Sequence, residues 1–106
     1  MNYTKVKFEI YLPSSHMDKL RTAINNTGAL TIGKYDNCIS TTEVIGYFRP
    51  LKDSKPYSGE ENNLSIEKEV KMEFRCHKDF ALELINLIKV IHPYEEPVYN
   101  IIPIIN

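Results

Sequence analysis

The chain has almost no surplus of either charge: 13 Lys and Arg stand against 14 Asp and Glu, a net charge of -1. Binding to phosphate backbones draws on clustered cations, so no nucleic-acid partner is expected. Long apolar runs are missing too. None approaches the ~20 residues of a membrane-crossing helix, and no membrane partner is expected. The first residues, Met1-Asn2-Tyr3-Thr4-Lys5, lack the apolar stretch of a secretion signal. Cysteine is scarce: Cys38 and Cys76 are the two present. Without a signal, a reducing, cytoplasmic setting with both thiols free is the expectation. The chain also lacks G-x-S-x-G, the P-loop, the dinucleotide-binding glycine pattern, and any C-x-x-C or H-x-x-H spacing. No nucleophile has a matched base nearby in sequence, so no catalytic residue and no cofactor are expected.

What is present is organised as two similar halves. Lys5-Val6-Lys7-Phe8-Glu9-Ile10 alternates charged and apolar residues, and Glu69-Val70-Lys71-Met72-Glu73-Phe74 repeats the pattern. Each run is followed by a helical periodicity, with Leu20 and Ile24 in the first placed like Leu84 and Ile88 in the second. Two units are too few for a repeat array. The 106 residues, 42% hydrophobic and 25% charged, suit one soluble unit spanning 1–106.

The alternation predicts a strand over 6–12, ended by Pro13, then a helix with Met17, Leu20, Ala23, Ile24 and Thr27 inward. Ser14 or Ser15 is the expected N-cap, with Ser15-His16-Met17-Asp18 at capping-box spacing. Gly28 suits the position after the C-cap. A strand over 41–49 follows, with Gly46 as a bulge or close-approach point. Residues 50–64 read as a long polar loop of the kind that carries function or mobility. A third strand over 66–76 turns Val70, Met72, Phe74 and Cys76 inward. A helix over 78–91 with a weak N-cap signal and an edge strand over 98–105 complete the chain. The order predicts an α+β, ferredoxin-like βαββαβ fold, a four-stranded antiparallel sheet with two helices on one face. Lys7, Glu9, Lys71, Glu73 and Arg75 then share the open face and can pair across strands. Val98, Ile101, Ile102, Ile104 and Ile105 make the last strand apolar on both faces, which predicts cover by a second copy of the chain.

The densest candidate site is His92-Pro93-Tyr94-Glu95-Glu96-Pro97. A histidine beside carboxylates can hold a metal or move a proton. It can equally be a cation at a helix C-terminus, with the glutamates in solvent. Tyr35-Asp36-Asn37-Cys38 echoes Tyr94-Glu95 in the other half, either as a site or as a ring packed beneath the connection. Arg49 can clamp a carboxylate or phosphate, or pair with Glu95 or Glu96. A soft-metal site from Cys38, Cys76 and His77 is weakened because Cys76 and His77 point to opposite faces of a strand.

Three stretches together carry a resemblance: Gly33-Lys34-Tyr35-Asp36-Asn37-Cys38, Thr42-Glu43-Val44-Ile45-Gly46-Tyr47-Phe48-Arg49-Pro50 and His92-Pro93-Tyr94-Glu95-Glu96-Pro97. They resemble the PII/CutA-like domain inserted in bacterial Nif-three-like (YqfO) proteins and also found standing alone. The loop 50–64 is similar in position to the ligand-binding T-loop of PII proteins. The resemblance implies a self-associating, trimeric protein, in line with the apolar last strand. The dinuclear metal site of the full-length relatives lies in flanking domains, so no metal ligand is carried over. Together these observations predict a non-catalytic binding or regulatory module. Arg49, His92, Tyr94, Glu95 and Glu96, with Tyr35 and Asp36, are its candidate contacts to a small molecule or protein partner. The alternative is a CutA-like metal-binding protein using His92, Glu95 or Cys38.

Overall fold

The structure, a computed structural model, describes residues 2–105; Met1 and Asn106, the ends of the expected unit, lie outside the described residues. Strand β1 (Lys5–Leu12) leads through a 3-10 turn to helix α1 (Met17–Asn26). Strand β2 (Ser40–Phe48), strand β3 (Ser65–His77), helix α2 (Ala81–Ile91) and strand β4 (Val98–Ile104) follow. All neighbouring strands pair antiparallel, in the order β2-β3-β1-β4. This is the ferredoxin-like βαββαβ arrangement, and β4 is an edge strand as its prolines require.

The alternation in the two central strands decides which face is buried. Val6, Phe8, Ile10 and Leu12 of β1 and Met72, Phe74 and Cys76 of β3 meet Leu20 and Ile24 of α1 and Leu84 and Ile88 of α2. Phe8 lies directly opposite Phe74 in the register, and their rings stack 5.1 Å apart at the centre of this core. Complete burial of such a side chain stabilises by about 1.5–3 kcal/mol relative to exposure.

On the open face the register sets like charges opposite each other: Glu9 faces Glu73, and Lys7 faces Arg75. Attraction is recovered from a diagonal neighbour across the strands and from a neighbour two positions along β3 itself. Lys7 Nζ reaches Glu73 at 2.6 Å, and Lys71 Nζ reaches the same carboxylate at 3.0 Å. Those two bonds hold the Glu73 carboxyl below its ordinary pKa, and Lys7 and Lys71 are raised chiefly by the same contacts.

Strand β3 is longer than β1, and this has a structural consequence. Its first five positions, 65–69, pair with β2 alone, whereas Val70 to His77 pair with β1. The end of the β2–β3 pair therefore projects past β1 as an arm, and the molecule measures 46 × 30 × 22 Å. Ile45 and Tyr47 on this arm are 62% and 66% exposed, and Leu64 and Ile66 beside them are also exposed. Val98 and Ile102 of β4 are exposed, while Tyr99 and Ile101 on its other face pack against the core.

The helix starts differ from expectation. Neither Ser14 nor Ser15 caps α1; both sit in the 3-10 turn, and Ser15 Oγ bonds His16 Nδ1 at 2.9 Å instead. Before α2, the His77 ring supplies the cap that the sequence did not advertise: its Nδ1 accepts from the Asp79 N–H at 3.2 Å. Gly28 ends α1 as expected, with φ of 92° and its N–H bonded to the Asn25 carbonyl.

Candidate functional site

The long loop between β2 and β3 is folded back on itself. The Asn62 N–H donates to the Pro50 carbonyl at 2.7 Å across the loop's base, and Pro50 is buried. Asp53, Gly59 and Asn62 take positive φ to turn the chain inside it. Glu95 fastens the loop to the segment after α2, because its Oε1 accepts from the Lys55 N–H at 2.9 Å. Between loop, segment and sheet lies a cleft of about 590 Å³. Its walls are Tyr11 of β1, Gly46 to Phe48 of β2, Arg49, Pro50, Leu51, Ser54, Pro56 and Tyr57 of the loop, Glu69 of β3, and Tyr94, Glu95, Glu96 and Val98. That volume is in the range of small-molecule sites.

Tyr94 is the hub of the cleft. Its ring centroid lies 6.1 Å from Phe48, 6.0 Å from Tyr57 and 4.9 Å from His92, with every pair tilted rather than stacked. Tyr57 also packs edge-on to His16, 5.7 Å away. The Tyr94 hydroxyl donates to Glu69 Oε2 at 2.7 Å. Burial first, then the Glu69 carboxylate, push the phenol pKa strongly upward, so this hydroxyl stays a donor. Glu69 is only 9% exposed although strand alternation puts it on the open face. Its burial depends on Gly46: a Cβ there would lie 1.8 Å from Glu69 Oε1. Gly46 is thus a point of close side-chain approach. Ser54 Oγ in the cleft wall is the one buried side-chain N or O atom among the described residues without a hydrogen-bond partner.

His92 stands behind the cleft. The ring is 4% exposed. Nε2 bonds the Tyr11 carbonyl, which only accepts, so the proton sits on Nε2. Nδ1 then accepts from the Tyr94 N–H at 3.2 Å. Burial lowers the His92 pKa. The expected cation at a helix C-terminus is therefore a neutral, doubly bonded ring that braces Tyr94; both nitrogens are engaged, and His92 is not among the residues lining the cleft.

The other candidates divide. Arg49, Tyr94, Glu95 and Glu96 line the cleft together. Arg49 is exposed and makes no ion pair with Glu95 or Glu96 among the described residues. Tyr35 and Asp36 lie at the opposite end. There Ile32 and Tyr35 bridge across a tight turn, which leaves Tyr35 77% exposed instead of packed beneath the connection. Asp36 and Asn37 instead bond Asn25 at the end of α1. Cys38 turns its thiol to the carbonyls of Tyr35 and Asp36, and Cys76 is a buried thiol pushed up to about 11 by burial. No three His, Cys, Asp or Glu side chains converge as metal ligands among the described residues. Glu69, Tyr57 and Phe48 were not foreseen as cleft residues. The glycine directly preceding the Tyr47-Phe48-Arg49 run was the one available signal of what would pack against it.

The fold and the looped cleft define a PII/CutA-like α+β domain. CutA1 from Shewanella sp. SIB1 superposes with a TM-score of 0.74 at 18% identity, over 100% of this chain and 86% of that one, a likeness of fold. A Bacillus cereus protein related to NIF3 superposes with a TM-score of 0.82 at 27% identity, over 98% of this chain and 26% of that one. In sequence the chain is 38% identical over 98 residues to a GTP cyclohydrolase 1 type 2 homolog of Bacillus subtilis (strain 168), covering 92% of this chain and 26% of that protein. A homolog of the same name from Halalkalibacterium halodurans is 30% identical over 100 residues, covering 94% and 27%. No family model matches the chain. The protein is a PII/CutA-like domain resembling part of the Nif-three-like (YqfO) proteins, and it spans about a quarter of the length of the curated relatives it matches.

Proposed function

We propose that this chain is a non-catalytic, homo-oligomeric binding or regulatory module whose small-molecule ligand enters the cleft beneath the loop 49–64. One observation carries the reading: a drug-sized, aromatic-walled cavity sits at the loop that the fold presents, with Arg49, which has no ion pair among the described residues, and a buried Glu69–Tyr94 pair in its wall. Arg49, Tyr57, Tyr94, Glu95 and Glu96 contact the ligand; His92 positions Tyr94. Tyr35 and Asp36 have no part in this cleft and serve the turn after α1. The relatives' name speaks of a cyclohydrolase, but they are about four times longer, and the cleft brings no nucleophile and matched base together. The engaged nitrogens of His92 give the metal-binding alternative no support.

Self-association is supported by the apolar residues left exposed on β4 and on the projecting arm, and the trimer is the assembly that the resemblance implies. The binding test is thermal. A ligand present at about 100 times its Kd stabilises by about 2.7 kcal/mol. The low-molecular-weight fraction of a cell extract should raise the melting temperature of the wild type. Arg49→Ala and Tyr57→Ala, both at exposed positions, should keep the fold and lose the shift. Full retention of the shift by both variants would reject the cleft as the site.

A further inference from the structure

Resting on the cleft reading above, we infer that the cleft recognises an organic ammonium ion, a positively charged nitrogen carried on a small apolar body. Charge and ring chemistry both point this way. Three carboxylates, Glu69, Glu95 and Glu96, line the cleft against the single guanidinium of Arg49. Glu69 is more than nine-tenths buried, yet no cation of the described residues lies within ion-pair reach of it. Among the described residues its side chain takes one hydrogen bond, from a neutral phenol, Tyr94. An ionised carboxylate taken out of water needs a counter-charge or several donors, and one phenol leaves that need partly unmet. A ligand cation would supply it.

The surroundings suit a cation for a second reason. Phe48, Tyr57 and Tyr94 come together at tilts of about 50°, so their faces do not cancel one another by stacking. Aromatic faces carry negative potential and bind ammonium groups when two or three converge near an acid. Tyr57 arrives on the loop and Tyr94 on the segment after α2, and the Glu95–Lys55 bond holds the two together. Ser54 Oγ, without a partner in the same wall, can serve a hydroxyl on the ligand. Arg49 lines the same cleft but is exposed, and it makes no ion pair with Glu69 among the described residues.

The test is an amide NMR titration of the folded chain with choline, its uncharged isostere 3,3-dimethylbutan-1-ol, and benzoate. The expected result is that choline shifts the amides of Gly46, Tyr57 and Tyr94 and binds about tenfold tighter than the isostere. Glu69→Gln should bring the two Kd values together, and Tyr57→Ala, at an exposed loop position, should weaken choline while the spectrum stays folded. Equal binding of choline and the isostere, or an unchanged ratio in Glu69→Gln, overturns the ammonium assignment. Benzoate binding in the cleft with choline silent overturns it too, but leaves the cleft reading standing. Probe-induced shifts confined to residues elsewhere, or none from any probe, overturn both.

Discussion

Gly46 is the residue on which the wall of the cleft turns, and replacing it by alanine gives a prediction with a sign reversal. The added Cβ would fall 1.8 Å from Glu69 Oε1 and 2.7 Å from its Cδ. Gly46 does not sit at positive φ, so the backbone itself accepts alanine. Glu69 must swing away and break its bond from Tyr94. Hydrogen bonds to charged groups contribute about 1.5–3 kcal/mol. Against this, alanine restricts the unfolded chain and returns about 0.4–1 kcal/mol. The expected net loss is roughly 1–2 kcal/mol, a fall of about 5–15 °C in melting temperature for a chain of this size. In a Glu69→Ala background the obstacle is gone, so Gly46→Ala should become neutral or stabilising. The assay is a double-mutant cycle by urea denaturation with the slope m checked for constancy. An equal loss from Gly46→Ala in both backgrounds would refute the claim that Gly46 exists to admit Glu69.

Other expectations follow from the same geometry. Phe8→Ala removes half of the stacked pair at the centre of the core and should cost about 3–5 kcal/mol, read as a lowered urea midpoint. His92 binds its proton less readily folded than unfolded, so the unfolded state takes up more protons below about pH 6.5. Stability should be full above that pH and fall as pH drops toward the lowered folded value; His92→Gln should remove this part of the slope in pH-dependent melts. Glu95→Ala frees the Lys55 N–H, and hydrogen exchange at Lys55 should speed up with little change in global stability. Ile102→Lys places a charge on the exposed face of β4 and should lower the mass seen by light scattering without unfolding the chain.

Much of the fold can be read from local pattern, because β1 and β3 are buried on one face only and their alternation follows the pleat directly. The same holds for the stripes Leu20, Ile24 and Leu84, Ile88. The site is less legible, since its key contacts join residues far apart in the chain. Nothing near Glu69 announces burial: it alternates with Val70 like a solvent-facing residue. It is covered by Tyr94 and by the space left at Gly46. His92 looks like an exposed helix-end cation until the Tyr11 carbonyl, 81 positions away, takes its proton-bearing nitrogen. The motif His92-Pro93-Tyr94-Glu95 is therefore a scaffold and a wall at once: His92 braces, Tyr94 binds Glu69, and Glu95 holds the loop. The echo between Tyr35-Asp36 and Tyr94-Glu95 fails because the tight turn at 32–35 sends Tyr35 into solvent.

The central claim is that the cleft under the loop is where this protein receives its ligand. The most direct measurement is residue-resolved hydrogen exchange of the folded chain with and without the low-molecular-weight fraction of cell extract. Slowed exchange concentrated at Lys55, Tyr57 and Tyr94 is the expected result. Protection confined to other parts of the molecule, with those three amides unchanged, would contradict it.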